Sequence, residues 1–331
     1  MARIATTRED LVDWILDVVV FKTGLLLSDR ELAQHVADPR LVGNQSEVVS
    51  FRADELEAIV NLALYELGHA ATATPESPSI ALLRKYGGDP TKKAIVDAVE
   101  DLAWENAKQA ALTAWGQPID LMPVLLAAKE KLGTIGLGIA LEWHDLVLAH
   151  VHGSPWSRMR RVEWVDEAAL ADLFASASLE TPHGTFLDQR YVDYLAAQFE
   201  GAIDRVHWRK FEGLTCEYFA RLGARVEIGP GSNDDGVDAR VWWPGDPPDA
   251  PPALLIQCKR ERDTVGKVVL KALYADMQWE KASSGLIVTT QRLARGAEAV
   301  RVARGYAIEQ ADRATLRRWL ETMRSVGKGP S

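Results

Sequence analysis

The chain has 331 residues, 47% of them hydrophobic and 26% charged, which is ordinary for a soluble globular protein and long enough for two domains, each with its own core. Its two cysteines, Cys216 and Cys258, have no short Cys/His ligand spacing around them, which argues against a zinc site or a disulfide framework and fits a reducing, cytoplasmic setting. The net charge of −9 divides unevenly: residues 205–331 hold 21 Lys+Arg against 16 Asp+Glu, and the preceding 204 hold 17 against 31, so a segment of +5 follows one of −14. A mildly basic end suits contact with a polyanion; the acidic end does not, and suits a protein partner or self-association instead.

In chain order, apolar residues at three- and four-residue spacing predict helices over 8–21, 53–71, 92–115, 122–131 and 135–150. The stretches TATPESPS (72–79) and GSPW (153–156) interrupt that pattern. The most apolar run, 134–152, contains Glu142, His144 and Asp145, a poor pattern for lipid, so it reads as a buried or amphipathic helix and no membrane span is expected. The first residues have no basic region leading into an apolar run, so no signal peptide is expected either. A further helix over 188–206 leads into a different texture. A helix over 210–222, a strand over 225–228, the loop GPGSNDDG, then VDARVWW (237–243) and ALLIQCKR (253–260) follow, with Gly and Pro bounding the Val/Leu/Ile/Trp-rich segments as strands require. A helix over 266–280, a strand over 284–290, a helix over 294–304, a short strand over 306–309 and a helix over 313–324 close the chain. Helices alternating with strands imply an α/β layer with a hairpin at its start, preceded by a mainly α-helical N-terminal domain (1–204 and 205–331).

Strand alternation puts Asp238 on one face with Arg240 and Trp242, and Val237, Ala239 and Val241 on the other. In the neighbouring strand it groups Gln257 with Lys259 and turns Cys258 away with Leu254 and Ile256. If the two strands pair, a carboxylate stands beside an amide and an ammonium. In the preceding helix, Glu212 shares a side with Thr215, Cys216 and Phe219, while Glu217 falls on a more solvated side with Gly213, Ala220 and Arg221. Phosphodiester cleavage needs an activated water and a counter-charge for the oxyanion forming on phosphorus. Mg²⁺ prefers carboxylate and carbonyl oxygens, so Asp238, the Gln257 side-chain oxygen and the backbone carbonyl of Cys258 make a ligand set, with Glu212 completing a second-metal site or holding a metal-bound water and Lys259 orienting water or stabilising charge.

The run FEGLTCEYFARLGARVEIGPGSNDDGVDARVWW, then LLIQCKR and GLIVTT, resembles the Mrr-type branch of the restriction-endonuclease-like, PD-(D/E)xK nucleases. That resemblance implies a mixed sheet flanked by helices and a Mg²⁺- or Mn²⁺-dependent endonuclease acting on DNA in restriction or defence against foreign DNA. It carries Glu212, Asp238, Gln257 and Lys259 over as the catalytic set, with Asp234 and Asp235 as accessory acids. Gln257 stands where the superfamily more often has glutamate, which lowers the site's charge by one. Arg260, Arg262, Lys267 and Lys271 are candidate phosphate contacts, whereas Arg313, Arg317, Arg318 and Arg324 read as a solvated helix face. Two other readings are an inactive nuclease fold serving as a DNA-binding or assembly module, and a structure-selective nuclease on branched DNA or RNA.

Overall fold

The computed structural model describes residues 3–113, 119–160, 162–231, 236–260 and 264–325. A short strand, β1 (Ile4–Thr7), opens into α1 (Arg8–Thr23), whose first turn is capped by the Thr7 side chain accepting from the Asp10 amide. Then come β2 (Leu25–Leu26), α2 (Asp29–His35), β3 (Val48–Phe51) and α3 (Ala53–Glu66). Helices α4 (Pro78–Tyr86), α5 (Pro90–Thr113) and α6 (Met122–Gly153) form a bundle with its own apolar centre around Leu82, Val99, Ala128 and Trp143. The two helices predicted over 122–131 and 135–150 are both present within Met122–Gly153, separated by non-helical backbone at Gly133, which takes φ 70° and ψ −158°. The end of the predicted 92–115 helix beyond residue 113 lies outside the described residues.

β4 (Ala168–Ala169), α7 (Leu170–Ala175), α8 (Gln189–Ala197) and α9 (Phe199–Ala202) complete this half. The helix expected over 188–206 is broken at Gln198 and finishes as a 3₁₀ turn, Ile203–Arg205. Two pairings went unread in the sequence: β1 runs antiparallel to β3, and β2 parallel to β4.

The second half is α10 (Trp208–Arg221), β5 (Arg225–Ile228), β6 (Ala239–Trp242), β7 (Leu254–Lys259), α11 (Lys267–Glu280), β8 (Ser284–Thr289), α12 (Arg295–Arg304), β9 (Ile308–Ala311) and α13 (Arg313–Met323). Its sheet has the order β5-β6-β7-β8-β9, antiparallel through β7 and parallel from β7 to β9, with α11 and α12 as the crossovers that parallel pairing requires. One face buries Ala239, Val241, Leu254, Ile256 and Val288 beneath α10 and α13; the other buries Leu255, Ile287 and Ile308 beneath α11. The first of these cores does not stop at the junction near residue 204. Leu11 and Ile15 of α1, Leu64 of α3, and Tyr191 and Leu195 of α8 belong to the same cluster as Phe211, Leu316 and Leu320. With each such side chain contributing about 1.5–3 kcal/mol on burial, the helical half is packed onto the sheet half rather than tethered to it. Among the described residues no helix is long and apolar enough to cross a membrane.

Candidate active site

The strands β6 and β7 pair as the sequence implied, with Ala239 opposite Ile256 and Arg240 opposite Leu255. Asp238 lies one residue before β6, where that pairing runs out. Its amide donates to the Ile256 carbonyl at 2.8 Å, its carbonyl accepts from the Gly229 amide at 2.8 Å, and its Oδ2 accepts from the Cys258 amide at 2.6 Å. The carboxylate therefore takes the place of a backbone acceptor across the end of β6. The N–H and C=O of one strand residue point to the same strand edge, so the Cys258 carbonyl faces the end of β6 alongside its amide.

The predicted alternation holds from Ala239 to Trp242 and fails at Val237. Val237 packs with Leu255 and Ile287 in the core beneath α11, opposite to Ala239 and Val241. A turn at Gly236, which takes φ 92°, precedes this change of side. Gly236 also lies against Gln257: a Cβ there would meet Gln257 Nε2 at 2.7 Å. Only glycine fits both the left-handed backbone and that approach.

Gln257 is 5% exposed, and its Oε1 is buried with no hydrogen-bond partner among the described residues. A buried amide oxygen left bare costs about 1–3 kcal/mol, so a donor or a cation there is worth having. Lys259, the last residue of β7, is half-buried, and its side chain makes no hydrogen bond or ion pair among the described residues. Glu212 faces inward on α10 as predicted, 6% exposed, and its Oε2 pairs with Arg209 Nη1 at 2.8 Å. Sequence reading passed over Arg209, although its i,i+3 spacing from Glu212 was the available signal. Asp234, Asp235 and Arg262 lie outside the described residues.

Two buried thiols both feel the charges of Asp238 and Glu212. Burial, and after it the charge of Asp238 and then, more weakly, of Glu212, holds the Cys258 thiol well above its ordinary range. Cys216 is pushed up in the same way, by burial first and then by Glu212. Both cysteines thus stay protonated and are not nucleophiles. Cys258 Sγ instead lies 3.6 Å from Thr215 Oγ1, which joins β7 to α10.

Glu217 is a correction. It is not solvated but 2% exposed: its Oε2 accepts from the amides of Thr185, Phe186 and Leu187 at 2.9, 2.7 and 3.2 Å, and its Oε1 from Arg221 Nε at 2.7 Å. The helical wheel failed because α10 is covered on its far side by a loop of the N-terminal half. The helix face expected to be solvated is corrected too. Arg313 pairs with Glu200 and Asp204, Arg317 pairs with Glu200, and Arg324 donates to the Gly68 carbonyl; Arg318 alone of the four stays exposed without an ion pair among the described residues. Of the candidate phosphate contacts, Arg260 donates to the Asp204 carbonyl at 2.7 Å, while Lys267 and Lys271 are exposed on α11.

No curated protein matches this chain. Among solved structures, the MspJI restriction endonuclease in complex with a 27-mer oligonucleotide is similar at 16% identity with a TM-score of 0.29, over 58% of this chain and 43% of that one, so this chain spans less than half of its length. The family model Mrr_cat, restriction endonuclease, matches residues 203–320, a span that runs from the turn before α10 into α13 and includes every candidate site residue named above. Residues 203–320, less than half of the chain, thus match an Mrr-type restriction-endonuclease domain.

Proposed function

We propose that this domain is an endonuclease that hydrolyses phosphodiester bonds in DNA with the help of Mg²⁺ or Mn²⁺, in cytoplasmic defence against foreign DNA. The observation that carries this reading is the end of the β6–β7 pair. There the Asp238 carboxylate accepts from the Cys258 amide, Gln257 beside it carries a buried bare oxygen, and Lys259 ends the same strand. These donors fit a small hard cation: all are oxygens, one is anionic, and one is a buried acceptor without a donor. Asp238, Gln257 Oε1 and the Cys258 carbonyl would hold it, with Glu212 as the further carboxylate on α10. Such an ion, when bound, supplies positive charge against the phosphate and makes a nearby water more acidic.

The chain's own groups do the rest. The Cys258 amide holds one oxygen of Asp238 and so orients the carboxylate across the strand ends. Packing at Gly236 holds the Gln257 amide in place. Lys259 brings an ammonium to the same end of β7, where it orients the attacking water and offsets the charge that builds on the phosphate oxygens. Arg209 restrains Glu212 within the helix. The N-terminal half, acidic and packed on α10, is a partner-binding or regulatory element, and its charge makes it a poor DNA clamp.

Plasmid incubated with the purified chain and Mg²⁺ or Mn²⁺ tests this. Wild type is expected to nick or linearise it, and Asp238→Ala and Lys259→Ala each to lose at least about 10²-fold in rate. Equal cutting by all three proteins refutes the assignment, and metal-indifferent DNA binding without cutting under any divalent ion points to a binding module instead.

A further inference from the structure

The carboxyl ends of β8 and β9 open onto a groove of about 690 Å³ that reaches from α9 to the first turns of α13. Its floor begins at Thr290, one residue beyond Thr289, and Thr289 is the register partner of Lys259. At about 4.8 Å between strands and about 3.3 Å per residue, the groove starts within about 10 Å of Lys259. It therefore begins close to the candidate site.

The groove is strongly cationic. Arg292, Arg313, Arg317 and Arg318 line it, against the carboxylates of Glu200 and Asp312. Asp312 is committed to capping α13, accepting from Thr315 N at 3.0 Å and from Thr315 Oγ1 at 3.1 Å. Arg292 and Arg318 make no ion pair among the described residues. The other two guanidiniums are occupied from outside the nuclease helices: Glu200 on α9 accepts from Arg313 Nε at 3.0 Å and from Arg317 Nη2, and Asp204 takes Arg313 Nη1 with both oxygens at 3.0 Å. Arg260, next to Lys259, donates to the backbone of the same short segment. Three arginines around the site are thus held by a single acidic stretch, 200–204.

We propose that this groove carries the DNA backbone away from the scissile bond, with Arg292 and Arg318 as phosphate contacts, and that Glu200 occupies Arg313 and Arg317 as a phosphate substitute until DNA displaces it. The proposal rests on the reading of DNA as substrate. A guanidinium fork matches phosphate as well as carboxylate, so the same two arginines serve both partners. The side chain of Glu200 is 66% exposed, so its pairs are weak enough to exchange for a chain of phosphates. An open groove lined by successive cations suits a linear polyanion better than a compact one.

The test is binding of a fluorescent duplex to the full chain in EDTA, between about 50 and 200 mM salt, so that no cutting enters the measurement. The double variant Arg292→Ala, Arg318→Ala is expected to bind about tenfold more weakly per arginine at about 100 mM salt, and its slope of log affinity against log salt is expected to fall by about 1 per arginine. Glu200→Gln is expected to bind at least about threefold more tightly at the same salt, since it removes one competing charge. Lys131→Ala, an exposed position on α6, is expected to match wild type. A double variant with wild-type affinity and slope overturns the groove while leaving the nuclease reading intact, and Glu200→Gln binding no tighter overturns the competition. A wild type that does not bind duplex overturns both this proposal and the reading it rests on.

Discussion

Replacing Glu217 by Gln probes one of the contacts that tie the two halves of the chain together. In the wild type a single carboxylate oxygen receives three loop amides and the other receives Arg221. Glutamine has the same shape but one acceptor oxygen and no charge. If that oxygen serves the loop, each of the three bonds weakens by about 1 kcal/mol, because charge-assisted bonds are roughly twice as strong as neutral ones. The amide nitrogen then faces the Arg221 guanidinium, donor against donor. Arg221 is 29% exposed and also donates to the Met323 carbonyl, so it can turn towards water and soften that conflict. The net loss is about 3 kcal/mol, the low end of the range for breaking a buried pair and a large part of the roughly 5–15 kcal/mol that holds a domain together. Urea unfolding followed by tryptophan fluorescence measures it, and hydrogen exchange at the amides of residues 185–187 shows whether the loss is local. A variant within about 0.5 kcal/mol of wild type, with those amides still protected, would refute the claim that this carboxylate anchors the loop.

Burial pushes the Asp193 carboxyl up to about 6, even though Ser325 and Gln189 donate to it. A folded pKa above the unfolded one means that its contribution to stability is fully present below about pH 4 and is lost as pH rises through about 6. Asp193→Asn keeps an acceptor and cannot ionise, so its stability relative to wild type should grow by up to about 3 kcal/mol between pH 4 and 7; a difference independent of pH would count against this. Gly236→Ala should cost about 1–2 kcal/mol for the left-handed backbone and displace the Gln257 amide, lowering plasmid cutting at least tenfold; normal cutting would remove Gln257 from the site. Gly68→Ala should be poorly folded, because its Cβ would lie 2.1 Å from the Asp193 carbonyl, and wild-type melting would contradict that packing. Chelation should abolish cutting, and Mg²⁺ or Mn²⁺ should restore it; undiminished cutting in EDTA would exclude a metal role.

Local pattern determined much of this protein. Period-two segments bounded by glycine and proline mark β6 and β7, so the pairing of Asp238 with Gln257 and Lys259 is legible in the sequence. The 3.6-residue period placed Glu212 on the inward side of α10. Both signals work because a strand or helix repeats its geometry over a few residues, so the apolar face is written within the element itself.

What tertiary structure decided lies between elements far apart in the chain. Glu217 is buried because a loop some thirty residues upstream folds over α10, and nothing near Glu217 states what will cover it. Val237 leaves the face of Ala239 because Gly236 turns the chain where pairing ends, so strict alternation was carried one residue too far. Arg313 meets Glu200 across 113 positions, and Asp193 meets Ser325 across 132, which turned an expected solvated helix face into a set of joints between the two halves. A charged side chain carries its chemistry in its own atoms, but its solvation and its partner depend on what packs against it, and that is settled only when the whole chain has folded.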